Sequence, residues 1–489
     1  MRRTTGPAFP IASLLLVLLS GCMVGPNYTR PSVPIAPGYK ESPPASFKEN
    51  DGWKVSQPSD FELKGKWWEM FGDPQLNALE EKVEGANQTL KMADANYRAA
   101  RANVGYYRAS EAPTIGVAPS VSAVRYSANQ PYLSSSAVNN GNGNFVLPLE
   151  LDYEIDLWGR IRREVTSARE TAQASAADLA NTRLSLHAEL ALDYMEVRSS
   201  DAQIQLLNDT VKAYTDAVNL TNDRYEGGAS PLSDVTEART QLDSARVLET
   251  DLSVMRAQYE HAIAILIGVP PAEFTLPPSP LNLNPPSMPD VPGTLPSQLL
   301  ERRPDIASSE RQMAAANEQI GIAQAAFYPT LSLSSIAGFQ GTSALNWLAW
   351  PSRFWAVGPM FSEALFDAGR RRSVRTMASA HYDSTVASYR QTTLTAFEQV
   401  EDNLAALRIL EVEAQQQHES TDSAEQSLDL SKIRYEGGAD SYLQVIIWQT
   451  AALNDERNDI DIMRRRMEAS VILIKALGGG WSTAQLPPA

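Results

Sequence analysis

The hexapeptide Arg224-Tyr225-Glu226-Gly227-Gly228-Ala229 returns as Arg434-Tyr435-Glu436-Gly437-Gly438-Ala439, 210 residues further along the chain. Each copy interrupts a long Ala- and Gln-rich helical pattern and is followed at once by another amphipathic helix. A Gly pair supplies the positive φ that a sharp helix reversal needs, so both copies read as tips of helical hairpins. The same offset relates Asp156-Leu157-Trp158-Gly159-Arg160 to Phe366-Asp367-Ala368-Gly369-Arg370, and Ile267-Gly268 to Leu477-Gly478. A constant offset over so long a stretch predicts a tandem duplication.

The unit that repeats is unusually elongated. From Arg160 to Glu226 the chain has neither Pro nor Gly. At 1.5 Å per residue such a helix is roughly 100 Å long, beyond any globular core. Leu190, Val197, Ile204, Val211, Val218 and Tyr225 fall seven residues apart, with Leu207 and Tyr214 between them. That spacing marks a coiled-coil seam. The return helix, Pro231 to Leu266, and the first helix, 74–110, are each about half as long, which predicts one long rod beside two short ones. The second unit repeats the order with a helix over 297–327, a rod over 370–436 and a return helix over 441–477. Its seam is poorer, because Ala414 and Thr421 occupy the core positions.

Between the first helix and the rod the hydrophobic period changes to two. Phe145, Leu147, Leu149, Leu151, Tyr153, Ile155 and Leu157 alternate with a face carrying Glu150, Asp152, Glu154 and Asp156. A strand over 144–157 with one apolar and one acidic face follows, paired with a weaker one over 113–127. The second unit offers strands over 329–341 and 353–367. The fold class is therefore α+β with four strands per chain, each long enough to cross an outer membrane at a tilt. Four strands cannot close a barrel, and an open edge cannot stand in lipid. Three chains would supply twelve strands and one shared barrel, continued below by a coiled-coil barrel of helices. Glu150, Asp152 and Glu154 would then face its lumen.

The N-terminus fits that location. Arg2 and Arg3 precede an apolar run from Ile11 to Leu19, too short to span a bilayer, and then Leu19-Ser20-Gly21-Cys22. The chain's single Cys follows small residues as in a bacterial lipobox, so residues 1–21 read as a signal peptide and Cys22 as the lipid-attachment site. Met23, rather than Asp, behind the acylated Cys points to outer-membrane sorting by resemblance to lipoprotein rules. Residues 22–66 are Pro-rich and aperiodic, a strap lying on something else. The first unit then spans 67–269, a linker with ten Pro spans 270–296, the second unit spans 297–480, and 481–489 form a tail. A net charge of -16 argues against nucleic acid, which needs a basic footprint.

Cys22-Met23-Val24-Gly25-Pro26-Asn27-Tyr28, Trp67-Trp68-Glu69-Met70-Phe71-Gly72-Asp73-Pro74, Leu300-Glu301-Arg302-Arg303-Pro304-Asp305-Ile306 and Ala325-Ala326-Phe327-Tyr328-Pro329-Thr330-Leu331 resemble the motifs of TolC-type outer membrane factors. The match is to their lipoprotein branch, with OprM-like and NodT-like members. The resemblance implies a homotrimeric channel-tunnel that docks onto a periplasmic adaptor and an inner-membrane proton-driven (RND-type) transporter. It also implies a gate at the periplasmic tip. Tyr435 matches an aromatic gate position, and Asp440-Ser441-Tyr442-Leu443 matches a pattern whose Asp forms an acidic ring in the trimer. Gln444 and Ile447 stand where some relatives carry further gate acids. Arg224 or Arg434 either bridges neighbouring hairpins or is a solvated helix-end charge, and residues 224–234 and 434–442 are the expected adaptor contact.

Arg160, Arg162 and Arg163 recur as Arg370, Arg371, Arg372 and Arg375 just after a strand. Cations at a helix N-terminus oppose the macrodipole, so they need partners: either anionic lipid heads or the acids Asp156, Glu164 and Asp367. His187, His261, His381 and His418 lack ligand spacing, and Gly141-Asn142-Gly143 lacks the strand–helix context of a phosphate loop. No enzyme chemistry and no cofactor or metal is expected. A passive efflux conduit is the leading expectation; a tunnel for protein secretion and a coiled-coil surface lipoprotein are the alternatives.

Overall fold

A computed structural model describes residues 23–33, 36–41, 65–125, 127, 142–282 and 300–487. Cys22, the distal strap and much of the Pro-rich linker lie outside them. Two helical hairpins dominate. Rod α3 (Arg160–Glu226) returns through α4 (Leu232–Leu266), and rod α6 (Arg370–Glu436) returns through α7 (Tyr442–Ala476). Both rods have 67 residues and both return helices 35. The other long helices among the described residues, α1 (Pro74–Ala86), α2 (Gln88–Ala109) and α5 (Pro304–Ala325), pack beside the rods.

The expected single helix over 74–110 is two. At Asn87 the backbone turns extended (ψ 127), and the Asn87 side chain accepts from the Leu90 N–H at 2.9 Å. Its amide also donates to the Leu266 carbonyl at 2.8 Å, capping the end of α4. An N-capping side chain thus starts a new helix while satisfying an orphan carbonyl of its neighbour. Of the expected helix over 297–327, residues 297–299 lie outside the described residues, 300–302 are helical, Arg303 is extended (ψ 123), and α5 starts anew at Pro304, a residue suited to the first helical turn. Arg303 does for α7 what Asn87 does for α4, donating to the Ala476 carbonyl at 3.0 Å. Gly478 (φ 96) packs so closely on the Arg302 carbonyl that a Cβ would lie 2.0 Å from it. The Glu301-Arg302-Arg303-Pro304-Asp305 motif is therefore a clamp between two helix ends.

The strand expected over 113–127 is also two, β1 (Thr114–Val117) and β2 (Ser120–Val124), split beside Pro119, which has no N–H for a ladder. Both pair antiparallel with β3 (Asn142–Ile155), which pairs with β4 (Thr330–Gly341), which pairs with β5 (Arg353–Ser362). The last strand stops short of the expected residue 367. Glu363–Gly369 form a turn that ends at Ala368 (φ 52) and Gly369 (φ 89). The register puts Leu149, Ala337 and Trp355 on one row and Ile155, Leu331 and Phe361 on another, so a single apolar face crosses the ribbon.

The hydrophobic core sits where α1, α3, α4 and α7 meet, around Trp67, Trp68, Leu76, Leu190, Tyr194, Ile263 and Ile474. Toward the tips the two hairpins differ. The first is held by Leu207, Tyr214 and Leu242, all buried. In the second, Thr421 donates to Asp459 (2.8 Å) and Gln417 to Asp455 (3.1 Å), so hydrogen bonds stand in for the missing branched residues.

The strap residues 23–41 bind both units. Val24 N–H donates to the Trp158 carbonyl (3.1 Å), Tyr28 to Glu310 (3.1 Å), and the Arg30 guanidinium to the Tyr389 hydroxyl (3.0 Å).

Candidate functional site

The two hairpin tips are built alike and used differently. In each, the second Gly takes the left-handed conformation (Gly228 φ 72, Gly438 φ 74), while Gly227 and Gly437 end the rods at ordinary helical angles. Only one Gly of each pair is therefore required by the reversal, correcting the expectation for Gly227 and Gly437. Gly228→Ala or Gly438→Ala should cost roughly 1–2 kcal/mol through left-handed strain alone, since open space surrounds both sites. Gly227→Ala and Gly437→Ala should cost clearly less. Thermal unfolding of the four variants checks this ordering; equal shifts would refute it.

Each tip Arg reaches the residue six positions on. Arg434 Nε lies 3.0 Å from Asp440 Oδ2, and Arg224 Nε lies 3.3 Å from the Ser230 hydroxyl. The difference between carboxylate and hydroxyl decides the rest. Arg434 is neutralised inside its own hairpin. Arg224 keeps its charge and crosses to the other hairpin, where it donates to the Glu436 carbonyl (3.2 Å) and lies 4.7 Å from the Tyr435 ring centroid. There it meets both the negative end of rod α6 and an aromatic face. Of the two Arg residues, Arg224 is the one that bridges the hairpins.

The Tyr pair divides similarly. Tyr435 is 4% exposed, packed on Tyr442 and Val445, and its hydroxyl contacts Ser230 (3.3 Å) and Asp234 (3.4 Å). Tyr225 is 43% exposed and takes no part. Ser230, Asp234 and Tyr442 were not singled out as a unit in the sequence. The repeat offset could have found Ser230, which corresponds to Asp440.

The three acids of β3 share one face but not one role. Arg160 grips Glu154 through two contacts (2.7 and 3.1 Å) and also Glu164 (2.7 Å), which neutralises Glu154. Asp152 accepts from the Ser334 hydroxyl at 2.8 Å. Glu150 and Asp152 line a concave groove with Ser334, Ser335 and Gly358. Of the three acids, Glu154 alone is ion-paired among the described residues.

The basic cluster after β3 is satisfied by protein. Besides Arg160, Arg162 pairs with Asp156 (3.2 Å) and the fully buried Arg163 with Glu318 (2.6 Å). In the second unit, among the described residues, only Arg371 is paired, to Asp367 at 2.7 Å. Salt bridging thus accounts for four of the seven.

His187 is not an incidental helix residue. Its Nδ1 lies 2.6 Å from Glu80 Oε2, its Nε2 3.3 Å from Glu84 Oε1, and its ring stacks on Trp68 at 4.4 Å. Burial pushes the Glu80 carboxyl up to about 7, against the opposing pull of His187. A raised carboxyl favours the protonated native form. Its stabilisation is complete below the ordinary value of 4.5 and is lost as pH rises through about 7. Glu80→Gln should flatten that slope, removing up to about 3 kcal/mol of pH-dependent stability between pH 5 and 8. Parallel slopes in the two proteins would refute the assignment. No group of three or more His, Cys, Asp or Glu residues suited to a metal occurs among the described residues.

Comparison with known proteins agrees with this architecture. The family model described as outer membrane efflux protein matches residues 79–269 and 295–479. The chain is 31% identical to the toluene efflux pump outer membrane protein TtgC of Pseudomonas putida, covering 95% of this chain and 94% of that one. It is likewise 31% identical to the outer membrane protein OprJ of Pseudomonas aeruginosa, over 97% and 96% of the two chains. The solved outer-membrane channel OprN superposes with a TM-score of 0.83 at 28% identity, covering 94% of this chain and all of that one. None of the described helices is long and apolar enough to cross a membrane. This chain belongs to the outer membrane efflux protein family.

Proposed function

We propose that three copies of this chain close one twelve-stranded outer-membrane barrel, continued in the periplasm by a helical barrel, that exports drugs and other small molecules passively. The observation that carries this reading is the open ribbon. The outer edges of β1, β2 and β5 have no strand partner among the described residues. Its apolar face is solvent-exposed at Ile115, Val117, Val121, Trp355, Val357 and Phe361. Such a face suits lipid, and such edges are tolerated in lipid only when paired. The two hairpins of equal length support a tandem duplication as the origin of the chain. An acylated Cys22 would tether each copy to the leaflet its strap approaches.

A conduit of this kind supplies no energy, so it works together with a periplasmic adaptor and an inner-membrane RND transporter. Residues 224–234 and 434–442, at the far end of the rods, are the contact offered to the adaptor. Relatives named for efflux pumps, TtgC among them, favour small molecules over secreted proteins as cargo.

The test is reconstitution in planar bilayers. The purified protein should cross-link as a trimer and conduct with cation preference, and Glu150→Gln with Asp152→Asn should shift the reversal potential toward zero. Glu154→Gln, whose charge is already paired, should change it much less. A monomer without conductance would end the channel reading.

A further inference from the structure

The two hairpins provide an internal control for one stretch of their seams. In the first, Leu207, Tyr214, Leu242 and Ala245 are all buried. In the second, the residues 210 positions on are Gln417, Ala424, Ala452 and Asp455, and polar groups carry the contact. Gln417 donates to Asp455 at 3.1 Å, Ser420 donates to the same carboxylate at 3.1 Å, and the buried Thr421 donates to Asp459 at 2.8 Å. A further contact joins two acids. Glu425 of α6 meets Glu456 of α7, their carboxyls in side-chain hydrogen-bond contact. The equivalent residues of the first hairpin are Thr215 and Arg246, each satisfied on its own helix, by the Val211 carbonyl (2.7 Å) and by Asp243 (3.4 Å).

Two touching carboxyls form a bond only if one keeps its proton and donates it to the other; two carboxylates repel. Burial pushes the Glu456 carboxyl up to about 7, and the adjoining Glu425 pushes the same way. Asp459, one turn along α7, adds to this, while Lys432 of α6 opposes it. Lys432 is also drawn to Asp429 at 3.8 Å. From α3 the Tyr214 hydroxyl faces Glu456. Asp455, Asp422 and His418 gather around Asp459, and α4 brings Asp234 nearer the tip, against Tyr435 and Tyr442. A carboxyl raised in the folded hairpin stabilises it fully below the ordinary value of 4.5, and that stabilisation is lost as pH rises through about 7.

We infer that Glu425 and Glu456 share one proton across the seam of the second hairpin, a clasp that holds α6 to α7 and releases when the proton leaves. The contact is made between two helices of one chain, and the apolar seam of the first hairpin has no counterpart to it. Glu425 lies roughly 16 Å along the rod from Glu436. Release therefore acts on the tip that carries Tyr435 and receives the Arg224 bridge. The consequence for gating rests on the channel reading above; the clasp itself does not.

Hydrogen–deuterium exchange of the full-length protein tests the clasp. Protection of 417–425 and 452–460, corrected for the chemical pH dependence of exchange and taken relative to 207–215 and 242–250, should fall roughly tenfold from about pH 5.5 to about pH 8. In Glu456→Gln it should stay high and flat, because an amide N–H donates to Glu425 at any pH. Glu425→Gln should behave alike and serves if the first variant does not fold. Glu249→Gln, in the first hairpin, should keep the wild-type slope. A flat ratio in the wild type overturns the inference, and a cation lent by a neighbouring copy would produce that result. A slope retained in both Gln variants overturns it as well. In planar bilayers the open probability should rise over the same pH range in the wild type and stay level in the Gln variants. A slope in exchange but none in open probability leaves the clasp standing and removes its link to the gate, whereas a slope in exchange from protein that never conducts fails the channel reading alone.

Discussion

Arg163→Ala is expected to be the most damaging single substitution in the helical body. Arg163 is fully buried, donates to Glu318 at 2.6 Å and, through Nε, to the Val24 carbonyl at 2.8 Å. It therefore ties rod α3, helix α5 and the strap at one point. Removing one member of a buried pair leaves the other charge without compensation, at a cost of about 3–5 kcal/mol. The glycines around it show how little room the site has. A Cβ on Gly321 would lie 2.3 Å from Arg163 Nε, and one on Gly25 would lie 2.6 Å from the Gly321 backbone. Arg163→Ala and Glu318→Ala should each lower the thermal midpoint by many degrees and release the strap to protease. The double change Arg163→Met/Glu318→Leu should recover much of the loss, because apolar residues of similar volume need no partner. A single variant with a wild-type midpoint would show that the pair is not structural.

At the tips, Arg224→Ala should have the larger effect on gating and Arg434→Ala the smaller. Arg224 links the hairpins through a charged hydrogen bond and an aromatic face, together worth roughly 1–2 kcal/mol at a half-exposed site. If three tips open together, the loss triples, and the open population should rise by a hundredfold or more. Among the described residues Arg434 is paired only with Asp440 of its own hairpin, so its removal leaves the bridge intact. Asp440→Ala should act more weakly than Arg224→Ala, by freeing Arg434 and removing one acid of the expected ring. Single-channel recordings at fixed voltage decide the ranking. Should Arg224→Ala stay as closed as the wild type, the bridge does not hold the gate.

Much of this protein was readable in its residues, and the reasons are local. Glycine pairs mark reversals, unbroken heptads mark rods, and alternation marks strands, because each depends on the backbone or on the period of a single element. The repeat offset even matched the two tips residue for residue. The break at Pro119 has a local cause, but other misplaced features involve partners distant in sequence. Asn87 breaks a helix because it caps Leu266 across 179 residues, and nothing near it in the sequence announces that contact. Likewise His187 looked scattered because Glu80 lies 107 residues away.

The amino-acid sequence by itself determined most of the elements and their order, since propensity, turn chemistry and hydrophobic period act within a few residues. Tertiary structure alone decided how equivalent residues of the two units diverge. Arg224 bridges while Arg434 is quenched, and Tyr435 is buried while Tyr225 is bare; within β3 of the first unit, Glu154 is neutralised while Glu150 is not. Charge and burial are properties of a side chain's surroundings, and those surroundings exist only once distant segments have packed together.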